Sequence, residues 1–195
     1  MKKLFFGATV ACLMHSAAQA TTVDTTLTVD NLFSYYISTS DSIEGVLIGT
    51  GSNWPTSYSF SQFISPGVTN YLHVKGTDVG AISAFIGQFS LSDSAASFSN
   101  GSQALVTNTT DWGVNLTGFG NAYSTPITWG SNGQSPWGVR PQIASNAQFI
   151  WDPSKCTNCT AYFSTQISAV PEPASLAMMA LGFGVVGFAR RRQRS

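Results

Sequence analysis

Cys156-Thr157-Asn158-Cys159 is the only cysteine pair between the two ends of the chain, and its spacing can serve three kinds of chemistry. In an oxidising compartment it closes a disulfide; a redox centre of the thioredoxin type needs a helix opening at the first thiol, and structural zinc needs four ligands. Residues 162–167 read as a strand, and no histidine lies near enough in sequence to complete a metal site. A disulfide pinning a loop between two strands is the expectation.

Catalysis has little material. Glycoside hydrolysis asks for two carboxylates across a cleft, and acyl transfer asks for a nucleophile beside its base. Between residues 21 and 169 there is one glutamate, Glu44, and one histidine, His73, while the aspartates fall mostly in turns, where they cap backbone groups. In residues 71–75, Leu72 and Val74 share one face of a strand; Tyr71, His73 and Lys75 share the other, so His73 is expected at the surface. The body is therefore expected to be non-enzymatic, with no catalytic residue and no metal site.

Binding a sugar asks for less: aromatic faces for pyranose rings and a few polar groups to orient hydroxyls. Trp54, Asp78, Trp129, Trp137 and Arg140, all in turns or loops, are the candidates. Trp112 and Trp151 lie on alternating strands and are expected in the core.

The C-terminal 26 residues address a different chemistry. Val170-Pro171-Glu172-Pro173 is followed by sixteen uncharged residues, 174–189, and then by Arg190, Arg191, Arg192 and Arg194. Sixteen residues span about 24 Å as a helix, short of a hydrocarbon core of about 30 Å, so this is a marginal transmembrane helix. The arginines hold its end in the cytoplasm, which puts the prolines at the opposite interface as an extended peptide open to a protease. Residues 1–20 carry Lys2 and Lys3, an apolar stretch and Ala18-Gln19-Ala20, the pattern of a signal helix read by the Sec export machinery and removed.

The elements between these segments are strands. Alternation is clear at Leu27 and Val29, at Phe33, Tyr35 and Ile37, at Val46 and Ile48, and at Tyr58 and Phe60 with a bulge before Phe63. Ile82, Ala84 and Ile86 oppose Phe85, Phe89 and Leu91, which marks a central strand apolar on both faces. Asn100-Gly101 signals a hairpin turn, Trp112, Val114 and Leu116 alternate, and Phe149 with Trp151 and Phe163 with Ile167 form two final strands. Residues 117–146 make a long irregular loop, of the length usually kept for function. The expected fold is an all-β antiparallel sandwich over residues 21–169, between a signal peptide and a sorting tail at 170–195.

The chain's nine basic and nine acidic residues balance, but the balance is uneven along it. The body keeps only Lys75, Arg140 and Lys155 against eight acidic groups, a net charge of about −5. Clustered cations for phosphate are missing there, so nucleic acid is excluded as a partner.

Residues 170–195 resemble the PEP-CTERM sorting tails of Gram-negative bacteria, in the Pro-Glu-Pro motif, the short apolar run and the arginine cluster. The resemblance implies an exosortase as processing partner, a precursor held transiently in the inner membrane facing the periplasm, and a product at the cell surface or outside, among extracellular polysaccharide. A permanent tail anchor is the alternative. The body resembles the galactose-binding-like jelly rolls attached to glycoside hydrolases, through Thr28-Val29-Asp30-Asn31, Asn53-Trp54-Pro55, Ser65-Pro66-Gly67, His73 to Asp78, Phe149-Ile150-Trp151 and Tyr162-Phe163. It departs at residues 35–39, which lack the Asn-Gly turn of that family. The resemblance implies a polysaccharide-binding module, with a structural calcium conceivable through Asp30, Asn31 or Asp78. A purely structural surface protein, or an accessory module from a glycosidase, are the other readings.

Overall fold

A computed structural model describes residues 20–170. The signal segment, Pro171, Glu172, Pro173, the expected transmembrane helix and the four terminal arginines lie outside the described residues. Twelve strands form in chain order: β1 (Thr22–Asp30), β2 (Leu32–Ser38), β3 (Val46–Gly51), β4 (Tyr58–Phe63), β5 (Asn70–Thr77), β6 (Ala84–Leu91), β7 (Ala96–Phe98), β8 (Ala104–Val106), β9 (Gly113–Asn115), β10 (Ile127–Ser131), β11 (Gln148–Trp151) and β12 (Thr160–Ala169). Sheet A runs β10-β11-β6-β1-β4 with β8 on β6; sheet B runs β3-β2-β5-β12-β7 with β9 on β12. Every pairing is antiparallel, and the chain repeatedly switches sheet, as in a jelly roll.

The two-residue period places the core. Val23, Leu27 and Val29 of β1, Phe33, Tyr35 and Ile37 of β2, Leu72 and Val74 of β5, Phe85 and Phe89 of β6, and Phe163 and Ile167 of β12 meet between the sheets. Trp112 and Trp151 join them, as their alternation predicted. Gly76 matters here, because a β-carbon at that position would come within about 3 Å of Val29 and the Trp151 ring. Tyr35 brings its hydroxyl into this core and bonds Thr25 at 3.0 Å, which satisfies a group that burial would otherwise penalise. Burial pushes its phenol well above the usual range.

Two local expectations fail. Strand β4 runs in unbroken register with β1 through Phe63, so there is no bulge; the register shift falls instead between Tyr35 and Tyr36, where β2 meets β3. Asn100-Gly101 makes a tight turn, but not within a hairpin: β7 pairs with β12 in sheet B and β8 with β6 in sheet A. The turn carries the chain across the sandwich, an outcome that local turn chemistry cannot distinguish from a hairpin.

The run at 117–146 is ordered around β10 rather than uniformly irregular. Its second half folds over the outer face of sheet A and builds a second apolar layer from Ala84, Ile86, Trp137, Ile143, Ala147 and Phe149, flanked by Trp54, Val106 and Trp129. Cys156 and Cys159 form a disulfide, Cα to Cα 6.0 Å, in the connection between β11 and β12. The Cys156 carbonyl accepts from the Trp151 indole and from Ser83, and the Cys159 carbonyl from the Asp78 amide, so the loop is tied to the sandwich end.

Candidate functional site

Four of the five residues selected for sugar binding converge in the cap on sheet A. The Trp137 ring stacks on Phe149, 4.9 Å between centroids and 23° between planes, and lies 6.4 Å from Trp129. Its indole N–H donates to Asp30 Oδ2 at 3.0 Å. The Arg140 guanidinium sits 5.1 Å from the Trp54 ring centroid and donates to the carbonyls of Trp54 and Trp137. Burial holds the Arg140 guanidinium below the usual arginine value. Lys155 lies 5.2 Å from the Trp129 ring centroid, and the Trp129 N–H donates to the Ser83 carbonyl.

For Trp137 this arrangement corrects the expectation of a sugar platform. Trp137 is only 4 % exposed, so its ring has no face to offer a sugar. Trp54 and Trp129 are half-buried, each with a cation near its ring. The cluster braces the cap through cation–π contacts and indole hydrogen bonds, which are strongest where water is excluded.

Asp78 stands apart from the cap residues, buried after β5, with Oδ2 accepting the Asn158 N–H at 2.8 Å and Oδ1 buried without a partner. Asp30 lies near it. Burial pushes the Asp30 carboxyl above its usual value; the Trp137 hydrogen bond opposes this, and repulsion from Asp78 adds to it. Of the residues suggested for calcium, Asp30 already accepts from Trp137 and Asn31, and Asn31 Oδ1 from the Val79 N–H, which leaves Asp78 Oδ1 as the one side-chain oxygen of the three without a partner. Among the described residues no group of three acidic, histidine or cysteine side chains is placed to hold a metal. Calcium needs six or more oxygens, and these residues do not fit it.

The open half of the outer face of sheet A is different. Asp24 of β1 stands between Ser61 of β4 and Ser90 of β6; one rung along, Thr26 stands between Ser59 and Gln88. With Asn100, Asn108, Ala144 and Asn146 as walls, these residues line a groove of about 720 Å³. Thr26 and Ser59 bond each other at 3.1 Å, and Gln88 Oε1 takes the Ala144 N–H at 2.8 Å, leaving the Gln88 amide NH₂ toward the groove. Ala144 and Asn146 come from the cap, so the buried tryptophans position this wall without touching what lies in the groove. Sequence reasoning missed these residues because alternate Asp, Thr and Ser also mark an ordinary solvated strand face. The one available signal was their coincidence on three strands.

On the opposite face, His73 overturns its surface assignment: it is 0 % exposed. Phe119 stacks on its ring at 4.0 Å and 10°, and the loop after β2 closes over it. Nδ1 faces the Glu44 carbonyl and Nε2 faces Asp41 Oδ1, both at 3.2 Å. Asp41 Oδ1 also accepts from Ser164 at 2.6 Å and from Tyr123 at 3.1 Å. Histidine, aspartate and serine thus meet, but not as a catalytic triad: the carboxylate stands between the other two, and both imidazole nitrogens are occupied away from Ser164. The group is a fastening for two loops.

Comparison with known proteins finds one feature. The model of the PEP-CTERM protein-sorting motif matches residues 169–193. No curated protein and no solved structure matches the chain.

Proposed function

We propose that this chain, an exported protein carrying the PEP-CTERM motif and hence a substrate of exosortase processing, is a non-catalytic module that binds extracellular polysaccharide in the groove on sheet A. The observation that carries the reading is the groove of about 720 Å³, a size that suits a short run of sugar units, in which hydroxyls, amides and the Asp24 carboxylate alternate with apolar surface from Phe60, Leu105, Val106 and Ala144, a mixture that matches the hydroxyls and C–H faces of a sugar. Polar side chains of this kind exchange hydrogen bonds with sugar hydroxyls one for one. No tryptophan lines this groove, so recognition there rests mainly on the hydroxyl pattern. The acidic body disfavours uronate-rich or sulfated chains, so the expected ligand is a neutral polymer. Affinity per site is modest, and retention comes from many copies on a repeating chain.

Glycan-array binding of the processed protein tests this. Asp24→Ala and Ser90→Ala, at exposed groove residues whose side chains hold no other element, are expected to lower binding of a neutral glycan about tenfold or more, the loss of one or two good hydrogen bonds, without shifting the melting temperature. Retention of no glycan by the wild type, or equal binding by these variants, would remove the reading.

Sorting is tested separately. The motif's prolines disfavour helix and strand pairing, and Glu172 is the only charge between the last strand and the arginines. Glu172→Ala is expected to leave the full-length precursor in the membrane fraction; intact-mass measurement showing normal release would contradict this.

A further inference from the structure

The junction between body and tail has almost no slack. β12 ends at Ala169, and Val170 N–H still donates to the Ala95 carbonyl at 2.8 Å. Pro171 follows immediately, and the apolar run begins at Ala174. Three extended residues reach about 10 Å. With the tail in a bilayer, the end of the sandwich from which Val170 leaves must rest against the lipid surface.

That end is identifiable and apolar. Thr21 lies there, its carbonyl accepting from Ile64 and its hydroxyl bonding Asp93, and so do the loops after β2, β4 and β6. Phe63, Ile43 and Val46 are 65 %, 62 % and 67 % exposed and line one groove of about 340 Å³, with Val68 exposed in the neighbouring loop. The nearby carboxylates are engaged inward: Asp93 with Thr21, Ser92 and Ala95, and Asp41 with His73, Tyr123 and Ser164. A third carboxylate, Glu44 beside Ile43, is paired with Lys75 at 3.4 Å, while Arg140 sits in the cap and Lys155 in the β11–β12 connection.

We propose that Ile43, Val46, Phe63 and Val68 form a bilayer-docking surface that seats the precursor body on the membrane from which its tail emerges, with the occupant the headgroup–acyl boundary of the lipid. The proposal rests on the reading of residues 174–189 as a membrane anchor. Docking is apolar rather than electrostatic, because the one cation that reaches this loop, Lys75, is already neutralised by Glu44. Its function follows from geometry: it fixes the height and tilt of the motif for a membrane-embedded protease. Cleavage at the motif severs the tether, and four side chains alone hold only weakly, so the body then leaves.

The test places full-length precursor in lipid nanodiscs with and without brominated phospholipid, with an indole added at Phe63→Trp or, at the opposite end, at Val139→Trp. The expected result is loss of the added emission in brominated discs for Phe63→Trp and none for Val139→Trp, with unchanged near-ultraviolet circular dichroism in both. Co-purification with discs but equal quenching of the two variants overturns docking alone. An added indole at position 63 that is blue-shifted yet unquenched also overturns it, and points to a protein occupant such as a second copy. Failure of the chain to enter discs at all overturns the anchoring reading, and the docking proposal falls with it.

Discussion

Asp41→Ala is expected to destabilise the body by about 3 kcal/mol, read as a lower midpoint in urea with an unchanged slope. One carboxylate oxygen accepts from three side chains, Ser164, Tyr123 and His73, and the last is fully buried. Removing it leaves three donors without their acceptor, and the loop of residues 39–45 loses its hold on sheet B. The imidazole can donate to both Asp41 and the Glu44 carbonyl only when doubly protonated. Asp41→Asn keeps an oxygen in place but removes the charge, so it is expected to recover part of the loss. Burial and the neighbouring Asp41 push the Tyr123 phenol upward, which keeps it a donor at any ordinary pH. A midpoint unchanged by Asp41→Ala would show that Phe119 alone holds His73 in place.

Trp137→Ala is expected to cost about 3–5 kcal/mol, the range for truncating a buried aromatic. The ring fills the space between Phe149 and Trp129, and its N–H is the partner of Asp30. The cost also depends on pH. The folded-state value of Asp30 is already raised above 3.8, and loss of the indole donor raises it further. A carboxyl with a raised folded-state value contributes stability at low pH that is lost as pH rises through that value. In Trp137→Phe, which keeps a ring over Asp30, the gap to wild type therefore widens as pH rises through the folded-state value, and melting curves at acidic and neutral pH will show it; in Trp137→Ala the opened cap also relieves the burial that raises Asp30. Trp137→Phe keeps most of the packing and isolates the hydrogen bond. Glycan binding is expected to weaken in Trp137→Ala because the cap carrying Ala144 and Asn146 loosens, not because a sugar platform is lost; Asp24→Ala, with normal stability, separates the two causes.

The inner faces of the strands were legible because burial there follows a period of two, set by the pleat. Leu27 and Val29, Phe33 to Ile37, and Leu72 with Val74 needed no tertiary information. The sorting tail was legible for a related reason: its signal is the order of residue types over a short distance, and the family model finds it at residues 169–193. The outer faces were not. His73 and Trp137 are buried by segments far away in sequence, the first by Asp41 and Phe119 and the second by Phe149 and Asp30, and no local pattern encodes which loop closes over which face. For the groove, Ser59, Thr26 and Gln88 become neighbours only once β4, β1 and β6 are in register.

Strand β12 lies in the middle of sheet B, paired with β5, β7 and β9, and it is the last segment before the tail. On the export route proposed above, with the N-terminus leading, sheet B cannot close until residues 160–169 have crossed the membrane. The sandwich folds late, since most of its contacts join distant parts of the chain. Maturation of the body and arrival of the tail thus become one event in time, and the chain presents its cleavage motif at the moment its fold is complete.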